Sequence, residues 1–317
     1  MDPEIVFNIQ SGPAWDWRVA MDLYLGGAGV GAILFAVLVN YAFAGRYRRL
    51  TRTAAWIGPV LVAIGLVLIM AKMGRPFNAW QNYVNVSPLS PLWWGGIFQP
   101  LLVGVGLLYA WSWRDAEANV RWRNALGIAL VPLTVIVGAY HGLLLSVLNS
   151  RPLWNTGPTV IAALLAFATT GVAVVLLAHL VRMWIGGRLS DRDHLGRFLD
   201  DLRVVRNTLL TLLVMQLGTA FVWWLGLRLG SLDQQQALAA ANEAYGPMFW
   251  YGGIVLGLVL PLLLGGTELF LGEARRRRGA QVATIALTSG MILVGGYFFR
   301  LALVLGGQAD LPVNLFF

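Results

Sequence analysis

A few polar side chains could do chemistry within segments that are otherwise apolar. Asp22 lies in "RVAMDLYLGGAGVGA", and Tyr140 and His141 lie side by side in "GAYHGLLLS". A carboxylate can accept a proton, a phenol hydroxyl can donate a hydrogen bond to a carbonyl, and an imidazole can do either. Because polar groups are costly in hydrocarbon, these three residues are candidates for a functional site.

The composition places these residues in a membrane protein. Of the 317 residues, 58% are hydrophobic and 12% are charged, whereas about 25% are charged in a typical soluble domain. The sequence contains eight apolar runs, and each is long enough for a helix to cross a bilayer. We therefore predict an all-α integral membrane protein with eight transmembrane helices, at 17–43, 53–72, 92–113, 124–148, 157–184, 206–229, 247–272 and 280–306.

The basic residues predict the orientation of these helices. Most of the 23 lysines and arginines lie in the first, third, fifth and seventh connections; the exceptions are Arg18, Lys72, Arg75, Arg151, Arg228 and Arg300. By the positive-inside rule, the odd-numbered connections are cytoplasmic and both termini are extracytoplasmic. The net charge of +8 therefore reports topology, and we predict no nucleic-acid partner. The start of the sequence has no basic stretch followed by a short apolar one, so we predict no cleavable signal peptide.

This orientation brings the polar residues to one depth. The fourth run leads outward, which places Tyr140 and His141 about two to three turns below the outer surface, and Asp22 lies at a similar depth early in the first run. The connection "KMGRPFNAWQNYVNVSPLSPLWWGG" covers the same side. We expect polar groups from three separate stretches to converge beneath the extracytoplasmic face.

Asp22 and His141 each have two interpretations. The carboxylate of Asp22 is a candidate proton acceptor; alternatively, Arg18, four residues earlier on the same helical face, pairs with it, which would also keep it ionised. His141 either makes a structural hydrogen bond or contacts a ligand. Since adjacent helical residues point about 100° apart, we expect one of Tyr140 and His141 to face a pocket and the other a neighbouring helix.

The histidines argue against a haem. His141 lies near the outer end of the fourth run and His179 near the inner end of the fifth, so their depths differ by roughly 20 Å at 1.5 Å per residue. His194 falls in a cytoplasmic connection. The sequence contains no cysteine, which excludes cysteine-ligated iron–sulfur clusters. We therefore expect no haem, no iron–sulfur cluster and no metal site in this chain.

Other residues in the apolar runs leave their roles open. Glu268 is either a proton-entry group or an interfacial carboxylate that reaches toward water. Arg300 must be paired or exposed to a cavity, and the sequence does not name its partner. Gly27 and Gly31 have the small-xxx-small spacing, which indicates close helix packing rather than a cofactor site.

Several of these stretches together resemble the NrfD/PsrC family, the membrane subunits of polysulfide-reductase-like complexes. They are "WDWRVAMDLYLGGAGVGA", "KMGRPFNAW" with "SPLSPLWWGG", "YHGLLLSVLNSRPLWN" and "YFFRLALVLGGQ", and they occur in that order over nearly the whole chain. The resemblance implies two four-helix bundles, at 1–150 and 151–317, in the inner (cytoplasmic) membrane. It also implies a quinone site, for menaquinone or ubiquinone, in the first bundle near the outer face.

The resemblance further implies particular residues and partners. By motif position the quinone contacts that the resemblance implies fall on Tyr140 and on Asp22, with His141 beside them. Arg75 lies in the connection over the pocket, where it could equally hold a partner. Members of the family often have histidine or asparagine in the first helix, where this chain has Asp22. The implied partners are an iron–sulfur electron-transfer subunit and a molybdopterin catalytic subunit.

The residues themselves agree with a quinone-binding anchor of a multisubunit oxidoreductase. An apolar cleft with a tyrosine hydroxyl and one carboxylate suits a ring with two carbonyl oxygens and an apolar tail, and Asp22 could accept a proton. Such a chain would be the quinol-reactive subunit, with no catalytic centre of its own for the terminal substrate. The alternatives are a proton-translocating or transporter-like protein and a purely structural anchor. The predicted helices contain no obvious break near the middle of the membrane, and this argues against a transporter.

Overall fold

The chain forms eight long helices that are apolar enough to cross a membrane. The computed structural model describes residues 15–43, 47–72, 76–115, 117–189, 192–271 and 278–309. In chain order the helices are α1 (Trp17–Ala42), α2 (Arg48–Lys72), α3 (Pro91–Ser112), α4 (Val120–Ser146), α5 (Pro158–Ile185), α6 (Arg192–Arg228), α7 and α8 (Arg278–Gly306). Helix α7 comprises Leu232–Pro247, the π-helical stretch Met248–Val259 and Leu260–Leu271. The predicted all-α class and the eight candidate spans are confirmed over these residues.

Helices α6 and α7 start well before the apolar runs that revealed them. Helix α6 begins at Arg192, within the polar segment that the prediction left outside the membrane, and the first part of α7 begins at Leu232. At the start of α7, Ser231 and Gln234 form a capping box. A helix can continue past the bilayer because its backbone hydrogen bonds are internal. An apolar run therefore marks the membrane-embedded part of a helix rather than the residues where the helix begins and ends.

Helix α1 lies at the centre of the fold and packs against α2, α4, α5 and α8. Its glycines allow this close approach. A Cβ on Gly31 would clash with the backbone of Phe167 in α5, and one on Gly171 would clash with the backbone of Gly31. A Cβ on Gly27 would clash with the Phe167 ring. The predicted role of Gly27 and Gly31 in close helix packing is thus confirmed.

The close contact between α1 and α5 predicts how one substitution changes stability. We expect Gly171→Ala to lower the free energy of unfolding by about 1–3 kcal/mol, because the added methyl group meets backbone that cannot rotate away. Thermal unfolding of the purified chain in detergent measures the change. Gly218→Ala is the matched control, since a Cβ there meets no atom within 4 Å; equal losses in the two variants would contradict the packing argument.

Three separate parts of the chain meet at one end of the fold. The indole of Trp15 stacks on that of Trp154 at 5.2 Å, and Trp154 donates from Nε1 to the carbonyl of Leu303 at 2.7 Å. The backbone N–H of Trp15 donates to Oε1 of Gln308, and Nε2 of Gln308 donates to the carbonyl of Trp15, each at 2.8 Å. We call this group of Trp15, Trp154 and Gln308 the terminal clasp; it joins the start of α1, the α4–α5 connection and the end of α8.

Helix α5 contacts helices of both halves of the chain. It packs against α1, α2 and α4 on one side and against α6 and α8 on the other. The helices of 1–150 and 151–317 therefore share an extensive interface, and the division into two bundles stays a prediction.

Candidate functional site

The candidate residues lie where α1 begins, α2 ends, α3 begins and α4 ends. Asp22 is in the second turn of α1, and Tyr140 and His141 are in the last two turns of α4. Contacts with Gly65 of α2 and Gly95 of α3 bring these turns together. Separate parts of the sequence thus converge on one end of the fold.

His141 is buried and has a protein partner at each ring nitrogen. Its Nδ1 lies 2.7 Å from the carbonyl oxygen of Val137, and its Nε2 lies 3.0 Å from Nε2 of Gln99 in α3. A carbonyl can only accept, so this network assigns the proton to Nδ1 and leaves Nε2 to accept from the Gln99 amide. His141 therefore fixes Gln99 and is itself held in one tautomer.

Asp22 is 4% exposed, and its Oδ1 has no hydrogen-bond partner among the described residues. This oxygen faces α2 closely: a Cβ built on Gly65 would lie 2.8 Å from it. Gly26, one turn along α1, lies between Asp22 and the ring of His141. An unsatisfied buried carboxylate oxygen is unusual and marks a place where an external donor would be stabilised.

The proposed pairing of Arg18 with Asp22 is not formed. Arg18 instead donates from Nε and Nη2 to Oδ2 of Asp16, at 3.0 and 2.8 Å. Asp16 is the N-cap of α1 and accepts the backbone N–H of Arg18, which places its carboxylate beside the guanidinium. Lys72, at the end of α2, also reaches Oδ2 of Asp16 at 3.1 Å. Asp22 is left without a cationic partner among the described residues.

Tyr140 is buried beside Asp22, with which it interacts electrostatically. Its hydroxyl lies against Gly95 of α3, where an added Cβ would clash with the phenol. The hydroxyl has no hydrogen-bond partner among the described residues. The Tyr140 and His141 rings lie 5.1 Å apart, and both residues reach α3, at Gly95 and Gln99.

Gln99 was missed by the sequence analysis. The signal available was one amide in an otherwise apolar run, immediately before Pro100. Proline has no backbone N–H and cannot satisfy the carbonyl four residues earlier. The hydroxyl of Tyr83 donates to that carbonyl, of Gly96, at 2.9 Å, so the segment that precedes α3 is tied to the same turn as the site.

The segment 76–90 lies at the site end of α3. Nδ2 of Asn82 donates to the carbonyl of Trp93 at 3.4 Å, and Nε1 of Trp94 donates to the carbonyl of Pro88 at 2.8 Å. Arg75, expected in the quinone pocket, lies outside the described residues, and so do the side chains of Glu268 and His194.

Arg300 of α8 is buried with aromatic and backbone partners. Its Nη1 donates to the carbonyl of Gly296 at 3.0 Å, and its guanidinium lies 5.4 Å from the ring of Tyr24 and 5.2 Å from that of Phe167. Arg300 and His141 both line a cavity of ≈ 40 Å³. Arg300 was expected to be paired or exposed to a cavity. It has a carbonyl and two aromatic rings as partners and also borders the cavity, which has room for a few water molecules.

The ion pairs of Asp16 predict a pH-dependent stability. Burial by itself raises the pKa of this carboxyl, but hydrogen bonds from Arg18 and Lys72 outweigh it and lower the pKa to about 2. Because the ordinary value is 3.8, the stabilisation is complete above about pH 4 and is lost as the pH falls toward 2. We expect Asp16→Asn, which keeps a good N-cap, to lower the thermal midpoint at pH 7. That difference should disappear between about pH 4 and pH 2; a difference that is constant with pH would contradict the assignment.

Comparison with known proteins gives one family and several relatives. The family model described as "Polysulphide reductase, NrfD" matches residues 6–312. The chain is 27% identical to protein NrfD of Escherichia coli strain K12 over 322 residues, which cover 93% of this chain and 95% of that protein.

Two further relatives are named as components of reductases. The C component of the polysulfide reductase of Wolinella succinogenes is 25% identical over 269 residues, which cover 79% of this chain and 82% of that protein. The C component of the selenate reductase of Mesobacillus selenatarsenatis is 23% identical over 308 residues, which cover 82% of this chain and 69% of that protein.

Proposed function

Because the chain belongs to the polysulphide reductase NrfD family, we propose that it is the quinone-reactive membrane subunit of a multisubunit oxidoreductase. It would exchange electrons between the quinone pool, menaquinone or ubiquinone, and an iron–sulfur subunit. Membership of the family and its eight apolar helices are consistent with a membrane subunit of such a complex.

The observation that carries this proposal is one buried carboxylate oxygen without a hydrogen-bond partner among the described residues, next to a tyrosine hydroxyl that makes no hydrogen bond to them. Oδ1 of Asp22 and the hydroxyl of Tyr140 lie at the same end of the fold, on facing helices. A quinone ring has two oxygens on opposite edges, one of which can accept from a tyrosine hydroxyl while the other, as a hydroxyl, can donate to a carboxylate. The orphaned groups fit that ligand in number and in chemistry.

Each residue of the site then has a distinct task. When bound, a quinol supplies two electrons and two protons. Tyr140 would donate a hydrogen bond that orients the ring, and Asp22 would accept the two protons one after the other, releasing the first to the nearby surface before it takes up the second. His141 holds the Gln99 amide in place through Nε2. At 1.5 Å per residue, Asp22 lies about 7.5 Å along α1 from Trp17, which is exposed at the start of the helix. A proton on Asp22 is therefore close to the surface.

The partner is expected at the same end of the fold. The segment 76–90 exposes apolar side chains there, among them Phe77 at 92% and Leu89 at 99%. We propose that this segment, with Arg75 beside it, contacts the iron–sulfur electron-transfer subunit, which exchanges electrons with a molybdopterin catalytic subunit. This arrangement requires the site to be extracytoplasmic, and the arginine distribution predicts that this end and both termini lie on that side. We propose the inner (cytoplasmic) membrane, which the resemblance to the family implies.

Two measurements on the purified native assembly test the proposal. We expect about one extractable quinone per chain, an iron–sulfur protein that co-purifies, and saturable binding of a quinone analogue such as an alkyl-hydroxyquinoline N-oxide. A chain that purifies alone and binds no analogue would overturn the proposal and favour the transporter-like alternative. A complex that assembles but binds no analogue would instead indicate a purely structural anchor.

A further inference from the structure

Four arginines converge at the end of the fold opposite the candidate site. Arg49 and Arg52 lie near the start of α2, Arg182 lies in the last turn of α5, and Arg188 lies three residues after the end of α5. Arg182 interacts electrostatically with each of the other three. We call these four residues the arginine cluster.

Local structure explains why the cluster forms. Nη1 of Arg182 donates to Oγ1 of Thr53 at 3.1 Å, which holds its guanidinium near Arg49 and Arg52 of α2. After α5, Gly187 adopts a left-handed conformation with φ of 67°, which side chains with a Cβ rarely adopt. This turn lets the backbone N–H of Arg188 donate to the carbonyl of Met183 at 2.9 Å, so Arg188 folds back toward the helix end.

The cluster has neither an acidic partner nor a cation–π contact among the described residues, whereas other arginines at the same end have one or the other. Arg48 pairs with Glu117 at 3.4 Å. Arg114 stacks over Trp111 at 3.6 Å and Arg123 over Trp113 at 4.3 Å.

Mutual repulsion among the four guanidinium groups is therefore uncompensated within the described protein, apart from the negative end of the α5 dipole. The positive-inside rule concerns the number of basic residues on one side and does not require them to converge.

Apolar surface adjoins the cluster on α5. Trp184 is 71% exposed and Ile185 is 75% exposed, and they follow Arg182 by two and three residues in the chain. A ligand that satisfies both features has an anionic head and apolar chains. Guanidinium groups bind phosphate through charge-assisted hydrogen bonds of fitting geometry.

From this geometry we propose that the arginine cluster binds the phosphate of an anionic phospholipid, whose acyl chains lie along the Trp184 side of α5. The site is distinct from the quinone site and does not depend on the proposed function. It would anchor the end of α5, the helix that contacts both halves of the chain, to the lipid leaflet on that side.

Binding of short-chain lipids to the full chain in nonionic detergent tests this proposal. We expect dihexanoyl-phosphatidylglycerol to bind saturably, and the double variant Arg52→Gln/Arg188→Gln to bind it about 30-fold more weakly, at about 1 kcal/mol for each basic residue. The matched control is Arg114→Gln/Arg121→Gln, in which Arg114 follows α3 and Arg121 lies in the first turn of α4. It removes the same charge at the same end and should change the affinity less than threefold. Arg52→Lys/Arg188→Lys should retain most of the binding.

Three outcomes would overturn the proposal. An equal loss of affinity in the control variant would show that the effect comes from overall charge and not from the cluster. Equal affinity for dihexanoyl-phosphatidylcholine would remove the requirement for an anionic head. Inorganic phosphate that binds as tightly as the lipid would show a site for a free anion rather than for a phospholipid.

Discussion

Replacing Asp22 with asparagine should lower quinol-linked turnover by about 100-fold, while the affinity for a quinone analogue changes less than about threefold. Asparagine has the same shape and keeps an oxygen that accepts a hydrogen bond, but it cannot take up a proton. Loss of a positioned general base typically costs 10²–10⁴ in rate. Because Oδ1 of Asp22 has no partner among the described residues, the substitution breaks no protein hydrogen bond that would confuse the result.

Asp16→Asn is the matched control for this experiment. It removes a carboxylate from the same end of α1, but one that is bound by Arg18 and Lys72, and turnover should stay within about twofold at neutral pH. Steady-state turnover of the purified complex with a soluble quinol, together with analogue titration, separates rate from binding. A near-normal rate in Asp22→Asn would remove Asp22 from the proposed proton path.

The second large effect is expected for Tyr140→Phe. Loss of one hydrogen bond to the ring should weaken quinone-analogue binding about tenfold, the upper end of the net value for a neutral hydrogen bond. The ring of phenylalanine still fills the space against Gly95, so the thermal midpoint should be unchanged. Equal analogue affinities for Tyr140→Phe and the native chain would contradict the assigned role of the hydroxyl.

Gly95→Ala tests the same contact from the other side. The added methyl group would clash with the Tyr140 phenol and must displace its hydroxyl, so analogue binding should fall at least as far as in Tyr140→Phe. Gly104→Ala, on the same helix, adds a methyl group that meets no atom within 4 Å and should leave binding unchanged. A loss that is the same in both variants would indicate a general effect on α3.

The sequence predicted the parts of the site that follow from helix count and depth. Asp22, Tyr140 and His141 come together because eight alternating spans leave the start of the first and the end of the fourth on one side. Their exact partners depend on rotation about each helix axis, which apolar runs do not determine. Gln99 was missed for this reason.

The pairing of Arg18 was wrong for a different physical reason. A spacing of four residues on one helix favours Asp22 as the partner, yet the N-cap residue Asp16 offers an oxygen that is already held by the backbone N–H of Arg18. The N-cap therefore binds Arg18 and prevents its pairing with Asp22 within the helix. The lengths of α6 and α7 differed from prediction because hydropathy reports contact with lipid rather than helical conformation.

The terminal clasp and the central place of α1 bear on how the chain is made. Domains generally form in the order of synthesis, and α1 is made before the other described helices, although its glycines pack closely against α2 and α5 and its contacts also include α8. Helix α8 is made after the other seven described helices, yet it packs beside α1, where the rings of Tyr24 and Tyr297 lie 5.7 Å apart. Until then α1 has only lipid or assembly factors on that side, so nascent chains that stop before α8 should be the ones that quality-control proteases remove.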